Sequence, residues 1–317
     1  MAVLQMKKIT ICALLTDQRQ VLEFLQGAGV VEISHLEEPE GSTFQRPDTS
    51  ARRQSCERDA WTAEQALEVL DQYAPEKTPL LSGLAGKPLA SGEEFAALRE
   101  NHRLVMEDVK QILEYSREIG ENKAAIAKLE TQIEALSPWL ALDVSMQYSG
   151  TEKTVLFIGA AGAQTTLDSL YQAAAERAPS ADVYIQLVGK DKDQVCAAVL
   201  CLREDAAQVE EALRASGFAR PSQSFDQIPA VKKGELEGQI QQIRDEIRTT
   251  TEKLRAYGTS RENIRLLSDY CRMQAEKYQA QGNMLQSGKT ILLTGFVPEP
   301  EEAKLLTRLN ERFDLYA

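Results

Sequence analysis

The 317 residues suit roughly two domains on length alone. The formal net charge of −12 argues against a nucleic-acid groove, which needs a Lys/Arg surplus at the phosphates, and gives no general attraction to anionic membranes. Aromatic residues make up only 6% of the chain, which suits long helices and small lobes better than one large core.

Taken in chain order, Lys8–Leu15 is β-rich and begins with alternation, so a strand is predicted. Thr16-Asp17 is expected to cap a helix from Gln18 to about Gln26, with Val21, Leu22 and Leu25 inward. Gly27 and Gly29 end that helix, and Val30–Ile33 reads as a second strand. Residues 39–55 are polar and turn-rich and read as a loop. Ala60–Tyr73 is helical by its period through Trp61, Leu67 and Leu70. Pro75, Pro79, Gly83, Gly86 and Pro88 then predict a loop or hairpin.

Ser91 opens a long helix, with Glu94 three residues later as a capping box. Its apolar positions are Leu98, Val105, Val109, Ile112, Ile119, Ile126, Leu129, Ile133 and Leu136, and Ser137-Pro138 ends it. A second long stretch, 236–278, carries Leu236, Ile240, Ile243, Ile247, Leu254, Tyr257, Ile264 and Leu267. Steps of three and four place each set on one helix stripe, and neither stripe can be buried in water by its own helix. The two are therefore expected to pair antiparallel as a coiled-coil arm of about 65 Å, at about 1.5 Å per residue. Gly258 is a candidate kink.

Between these helices, residues 153–226 change character. Val155–Ile158 reads as a strand, 164–178 as a helix, 182–188 and 195–202 as strands, 205–215 as a helix and 218–225 as a last strand. That β-α-β-β-α-β order is ferredoxin-like. After the arm, Thr290–Val297 is a strand. Pro298 with the acids behind it starts a helix, as the helix dipole favours, and that helix carries Leu305, Leu306 and Leu309. Residues 313–317 could begin another strand. The fold class expected is α+β: a long antiparallel two-helix arm joining two small lobes, the distal one ferredoxin-like and the proximal one a split version. The expected boundaries are 1–55 and 286–317 for the proximal lobe, 56–149 and 231–285 for the arm, and 150–230 for the distal lobe.

Candidate chemistry is sparse. Gly288-Lys289-Thr290 resembles the end of a phosphate-binding loop, but Asn283 stands where that motif needs glycine, and a strand follows instead of a helix. Gly159-Ala-Ala-Gly162, between strand and helix, reads as a tight turn far more readily than as an anion cradle. His35 lies near Glu32, Glu37 and Glu38 without metal-ligand spacing. His102 reads as a polar residue tolerated at the arm seam. The five cysteines, Cys12, Cys56, Cys196, Cys201 and Cys271, form no C-x-x-C, as for buried or idle thiols in a reducing compartment. No catalytic, cofactor or metal residue is assigned. No apolar run reaches the length of a membrane helix, and the start lacks a signal peptide's pattern, so a soluble, cytoplasmic chain is expected.

With lobes and arm in place, the ends become recognisable. Met6-Lys7-Lys8-Ile9-Thr10, Leu22-Glu23-Phe24-Leu25 and Gly29-Val30-Val31-Glu32-Ile33 resemble the start of V-type ATPase subunit I, the a subunit of eukaryotic V-ATPases. Leu293-Thr294-Gly295-Phe296-Val297-Pro298 resembles that family's L-x-G-[aromatic]-[V/I]-P segment. The middle of the chain matches by architecture and not by motif. The resemblance implies the cytoplasmic half of a stator subunit, without the membrane half and its ion-translocating residues. It implies docking to the E–G peripheral-stalk heterodimers at both lobes, and to the chain's own C-terminal membrane domain and so to the rotor ring. It implies no nucleic acid, no cofactor and no catalysis. Two other readings stay open: a small-ligand sensor built on ferredoxin-like lobes, and an enzyme with a coiled-coil arm. The missing phosphate loop weighs against the last.

Overall fold

In the computed structural model, residues 4–38, 43–76, 90–221 and 224–316 are described. The loop or hairpin expected from Pro75 to Pro88 lies outside them from residue 77 on, and so do the first four residues, 39–42, of the turn-rich run 39–55. The chain divides into two compact units, Met1–Ser116 with Lys253–Ala317, and Arg117–Glu252.

In the first unit, β1 (Met6–Leu14), α1 (Gln18–Ala28) and β2 (Glu32–Ser34) come from the front of the chain. β6 (Leu285–Gln286), β7 (Thr290–Pro298), α8 (Glu299–Asn310) and β8 (Leu315–Tyr316) come from the back. The sheet order is β2-β7-β1-β8, with β6 beside β7, and every pairing is antiparallel. Counting the four main strands along the chain gives 2-3-1-4, the order of a β-α-β-β-α-β lobe whose two halves are far apart in sequence. Ile9, Ile11, Ala13, Ile291, Leu293 and Val297 point to one face, where Val21, Leu22, Leu25, Leu305 and Leu309 of α1 and α8 cover them. Gly29, in the left-handed region at φ 65°, ends α1. The cap expected at Thr16-Asp17 is instead a 3₁₀ turn over Leu15–Asp17, and Asp17 makes no side-chain capping bond.

The same unit holds α2 (Ser50–Tyr73), the first part of α3 (Gly92–Leu136), and α7 (Arg261–Gly282). α2 starts within the segment expected to be a loop. Its buried stripe is Ala60, Ala63, Ala66 and Leu70, whereas Trp61, one of the residues that set the helical period, is 60% exposed. Small residues let α2 lie close against α7, and a tryptophan would hold the two axes apart. The capping box at the start of α3 forms as expected: the Ser91 amide donates to Glu94 Oε2 at 2.6 Å, and the Glu94 amide to Ser91 Oγ at 3.2 Å. α3 and α7 run antiparallel, as the contacts Ser260 Oγ to Asp108 Oδ2 (2.9 Å) and Cys271 Sγ to His102 Nε2 (4.0 Å) show. Leu98, Val105, Val109, Ile112, Ile264 and Leu267 are buried.

Near Gly258 the returning helix is interrupted: α6 (Pro229–Ala256) stops, a 3₁₀ turn spans Tyr257–Ser260, and α7 begins. The end of α2 docks at this break. Arg255 Nε donates to the Tyr73 carbonyl at 3.1 Å, and the buried Arg261 donates to the Ala74 carbonyl at 2.7 Å. Arg261 also pairs with Asp71, and its Nε lies 3.5 Å from Glu76. Two guanidinium groups therefore meet the carbonyl end of α2, where the dipole favours cations.

In the second unit, β3 (Thr154–Gly162), α4 (Leu167–Arg177), β4 (Val183–Lys190), β5 (Gln194–Leu202) and α5 (Ala206–Ala215) form a three-stranded antiparallel sheet ordered β3-β5-β4. That is order 1-3-2 of the same lobe. Among the described residues of the fourth strand expected over 218–225, the pairing is a single bridge, Ala160↔Ala219, on the free side of β3. α4 and α5 cover one face, with Leu170, Val209 and Leu213 packed on Ile185, Ala197 and Val199 of the strands. The other face packs on Leu136, Trp139, Leu142, Met146 and Leu236. The start of α6 at Pro229, five residues ahead of Gly234, suits a proline in the first helical turn.

Here α3 and α6 run antiparallel, with Thr250 Oγ1 donating to Glu118 Oε1 at 3.1 Å and Arg244 Nη2 lying 3.3 Å from Glu130 Oε1. Ile126, Leu129, Ile133, Ile243 and Ile247 stay half-buried, because two helices cannot enclose a seam on all sides.

Candidate docking surfaces

The motif-bearing ends of the chain meet along their whole length. β1 pairs with β7 from Met6↔Pro298 to Leu14↔Thr290. Within this pairing the family-like residues have structural tasks. Thr294 is buried, and its Oγ1 donates to the Ile9 carbonyl at 3.0 Å. A Cβ on Gly295 would lie 2.5 Å from the Glu32 carbonyl oxygen of β2, so only glycine admits that strand. Lys7 Nζ reaches Glu302 at 2.7 Å and Glu299 at 3.6 Å, and the Glu299 amide donates to the Gln5 carbonyl at 3.0 Å. The first turn of α8 is thereby clasped to the first residues of β1.

The face of this sheet opposite α1 and α8 presents Met6, Lys8, Thr10 and Leu14 of β1, Phe296 of β7 and Tyr316 of β8. Met6, Leu14, Phe296 and Tyr316 are exposed apolar side chains gathered on one surface. Scattered exposed leucines need no explanation, but exposed apolar side chains that share one sheet face are a candidate contact surface.

In the second unit, Tyr184 of β4 and Leu200 of β5 are cross-strand partners on the face packed by Trp139 and Leu142, and both lie beyond that cover. Leu202, two residues on, is exposed beside them. The outer edge of β4 is blunted at one point, where the Ile185 amide donates to the Tyr171 hydroxyl at 3.0 Å. Gly189, at a bulge in β4, lies against Pro138: a Cβ there would come 2.0 Å from the Pro138 carbonyl oxygen.

The candidate motifs resolve as follows. Gly288-Lys289 forms the turn between β6 and β7, closed by the Ser287 amide donating to the Thr290 carbonyl at 2.8 Å. Gly159–Gly162 lies inside β3 and is neither a turn nor a cradle. Gly159 is small because the Phe218 ring and the Ala219 carbonyl come within 2.6 Å of where its Cβ would be. His35 is exposed just after β2. His102 sits at the α3–α7 seam, edge-on to Tyr270 at 6.1 Å between ring centroids. All five cysteines are free. Burial pushes the Cys196 and Cys271 thiols up to about 12, which leaves them without a thiolate near neutral pH. Among the described residues, no three His, Cys, Asp or Glu side chains gather as a metal site, and no helix is long and apolar enough to cross a membrane. An open groove of about 670 Å³ lies among α2, α3 and α7, lined by Leu67, Leu98, Val105 and Leu266 with Glu64 and Arg272.

The apolar strips escaped the sequence reading. Val195–Leu202 is a nearly continuous apolar run and reads as a strand buried on both faces. Nothing in the run marks where its cover stops.

No family model matches the chain, and no curated protein matches it. Among solved structures it is similar to the crystal structure of the cytoplasmic N-terminal domain of subunit I, homolog of subunit a, of V-ATPase. The similarity covers 98% of this chain and 99% of that one, at 18% identity and a TM-score of 0.48.

Proposed function

We propose that this chain is the cytoplasmic stator part of a rotary V-type ATPase and has no catalysis of its own. In this reading it links the membrane motor to the E–G peripheral stalks and resists the torque of rotation. The observation that carries the reading is the register of β1 on β7. The two segments whose residues resemble the family's ends, almost the full chain length apart, are neighbouring strands of one lobe. Two lobes of related strand order, each in its own compact unit, suit a part that must engage two stalks.

In this reading the proximal lobe is 1–55 and 286–317, near the membrane domain, the arm is 56–149 and 231–285, and the distal lobe is 150–230. The exposed apolar strips, Met6–Leu14–Phe296–Tyr316 on one lobe and Tyr184–Leu200–Leu202 on the other, are the surfaces that would receive stalk ends. The test is calorimetric titration with a purified E–G heterodimer. The proposal expects binding that weakens about tenfold or more when Tyr184, Leu200 and Leu202 are replaced by serine, since buried apolar anchors dominate such interfaces. Absence of binding, both to this chain and to a tethered two-stalk assembly that supplies avidity, would refute it.

A further inference from the structure

Four helices of the first unit enclose a groove of about 520 Å³ whose electrostatics run against those of the whole chain. Its walls carry Arg19 and Glu23 of α1, Arg52 of α2, Arg99 of α3 and Lys277 of α7. Four cations face one carboxylate, an excess of three positive charges in a chain of net charge −12. Glu23 is engaged from both sides, by Lys277 at 2.8 Å and Arg19 at 2.9 Å. Arg52 and Arg99 have no carboxylate partner among the described residues and are exposed. Arg52 stands in the first turn of α2, where the dipole disfavours a cation, so helix stability does not account for it.

We propose that this groove docks an acidic polypeptide segment of a partner. The unpaired guanidinium forks match carboxylates in plane and geometry. Phe95, Met273, Tyr270 and Tyr278 line the same groove and suit the apolar stems of glutamates, and the space far exceeds a lone phosphate. The inference stands apart from the stator reading, because it concerns the chemistry of one groove and needs no stalk.

The test is fluorescence anisotropy of a labelled oligoglutamate peptide with the full chain at low salt. The proposal expects saturable binding, which the rest of this acidic surface would otherwise repel. It expects affinity to fall about tenfold or more in R52E/R99E, and less in R52Q/R99Q, since reversal adds repulsion to the lost attraction. Both pairs lie on exposed positions, and unchanged far-ultraviolet circular dichroism would verify their folds. E23Q, which removes the one competing carboxylate, is expected to tighten binding. No binding, or binding equal in R52E/R99E and wild type, overturns the proposal. So does displacement of the peptide by millimolar inorganic phosphate, or co-sedimentation with phosphatidylserine vesicles in place of peptide binding.

Discussion

Gly295 and Gly258 offer a test in which one substitution has opposite effects. At Gly295 a new Cβ would meet the Glu32 backbone oxygen at 2.5 Å, with Val31 Cγ1 at 3.1 Å. A carbonyl cannot rotate away as a long side chain can, so β2 must retreat from β7 by about half an ångström. That movement strains the pairs Glu32↔Phe296, Ile33↔Gly295 and Ser34↔Thr294. Overpacking of this kind costs about 1–3 kcal/mol, more than the roughly 0.4–1 kcal/mol gained by restricting the unfolded chain. G295A is therefore expected to lose about 1–2 kcal/mol on balance.

At Gly258 the nearest atom is Ala74 Cβ at 3.6 Å, an ordinary contact, and the backbone is a 3₁₀ turn with no positive φ. G258A is expected to be neutral or stabilising by up to about 1 kcal/mol. Urea unfolding followed by circular dichroism gives both signs. Hydrogen exchange should place the G295A loss in residues 32–34. A G295A protein as stable as wild type, or a G258A protein less stable than G295A, would refute the close β2–β7 approach.

Three further outcomes are expected. R261A should lose about 1–3 kcal/mol, because the Ala74 carbonyl loses its donor while the more exposed Asp71 and Glu76 regain water; faster exchange in the last turn of α2 would localise the effect. Hydrogen bonds, first from Lys277 and then from Arg19, hold the Glu23 carboxyl below its ordinary 4.5. A depressed carboxylate contributes stability above its unfolded pKa and loses it as pH falls through the folded one, so the advantage of wild type over E23Q in urea midpoint should be present at neutral pH and vanish in acid below that ordinary value. Cys196 and Cys271 should resist a disulfide reagent until the protein unfolds, as peptide mass spectrometry would show; rapid native labelling of either would refute their burial.

Much of the fold was legible in the sequence because local signals carried it. The spacing from Leu98 to Leu136 fixed a long helix, Ser91 with Glu94 fixed its start, and Ser137-Pro138 its end. Alternation and turn glycines located β1, β7 and the strands around α4 and α5. The possible break at Gly258 was visible too, since glycine is a poor helix former in any context. The absence of motif chemistry at Gly288-Lys289 could be argued from order alone, because a strand and not a helix follows.

Three things depended on residues distant in sequence. Only the tertiary structure buries α2 on Ala60, Ala63 and Ala66 and leaves Trp61 in solvent, because helix proximity rewards small size where a hydrophobicity pattern rewards large side chains. Only it limits the pairing of the described residues after Gly217 to the Ala160↔Ala219 bridge, because pairing is decided by what lies beside β3 and not by local β-propensity. Only it gathers Arg19, Arg52, Arg99 and Lys277 from four helices into one groove, and Met6, Leu14, Phe296 and Tyr316 from three strands onto one face. Periodicity is a property of neighbours along the chain, so the sequence by itself determined the elements. Surfaces are made by neighbours in space, and the packing decided them.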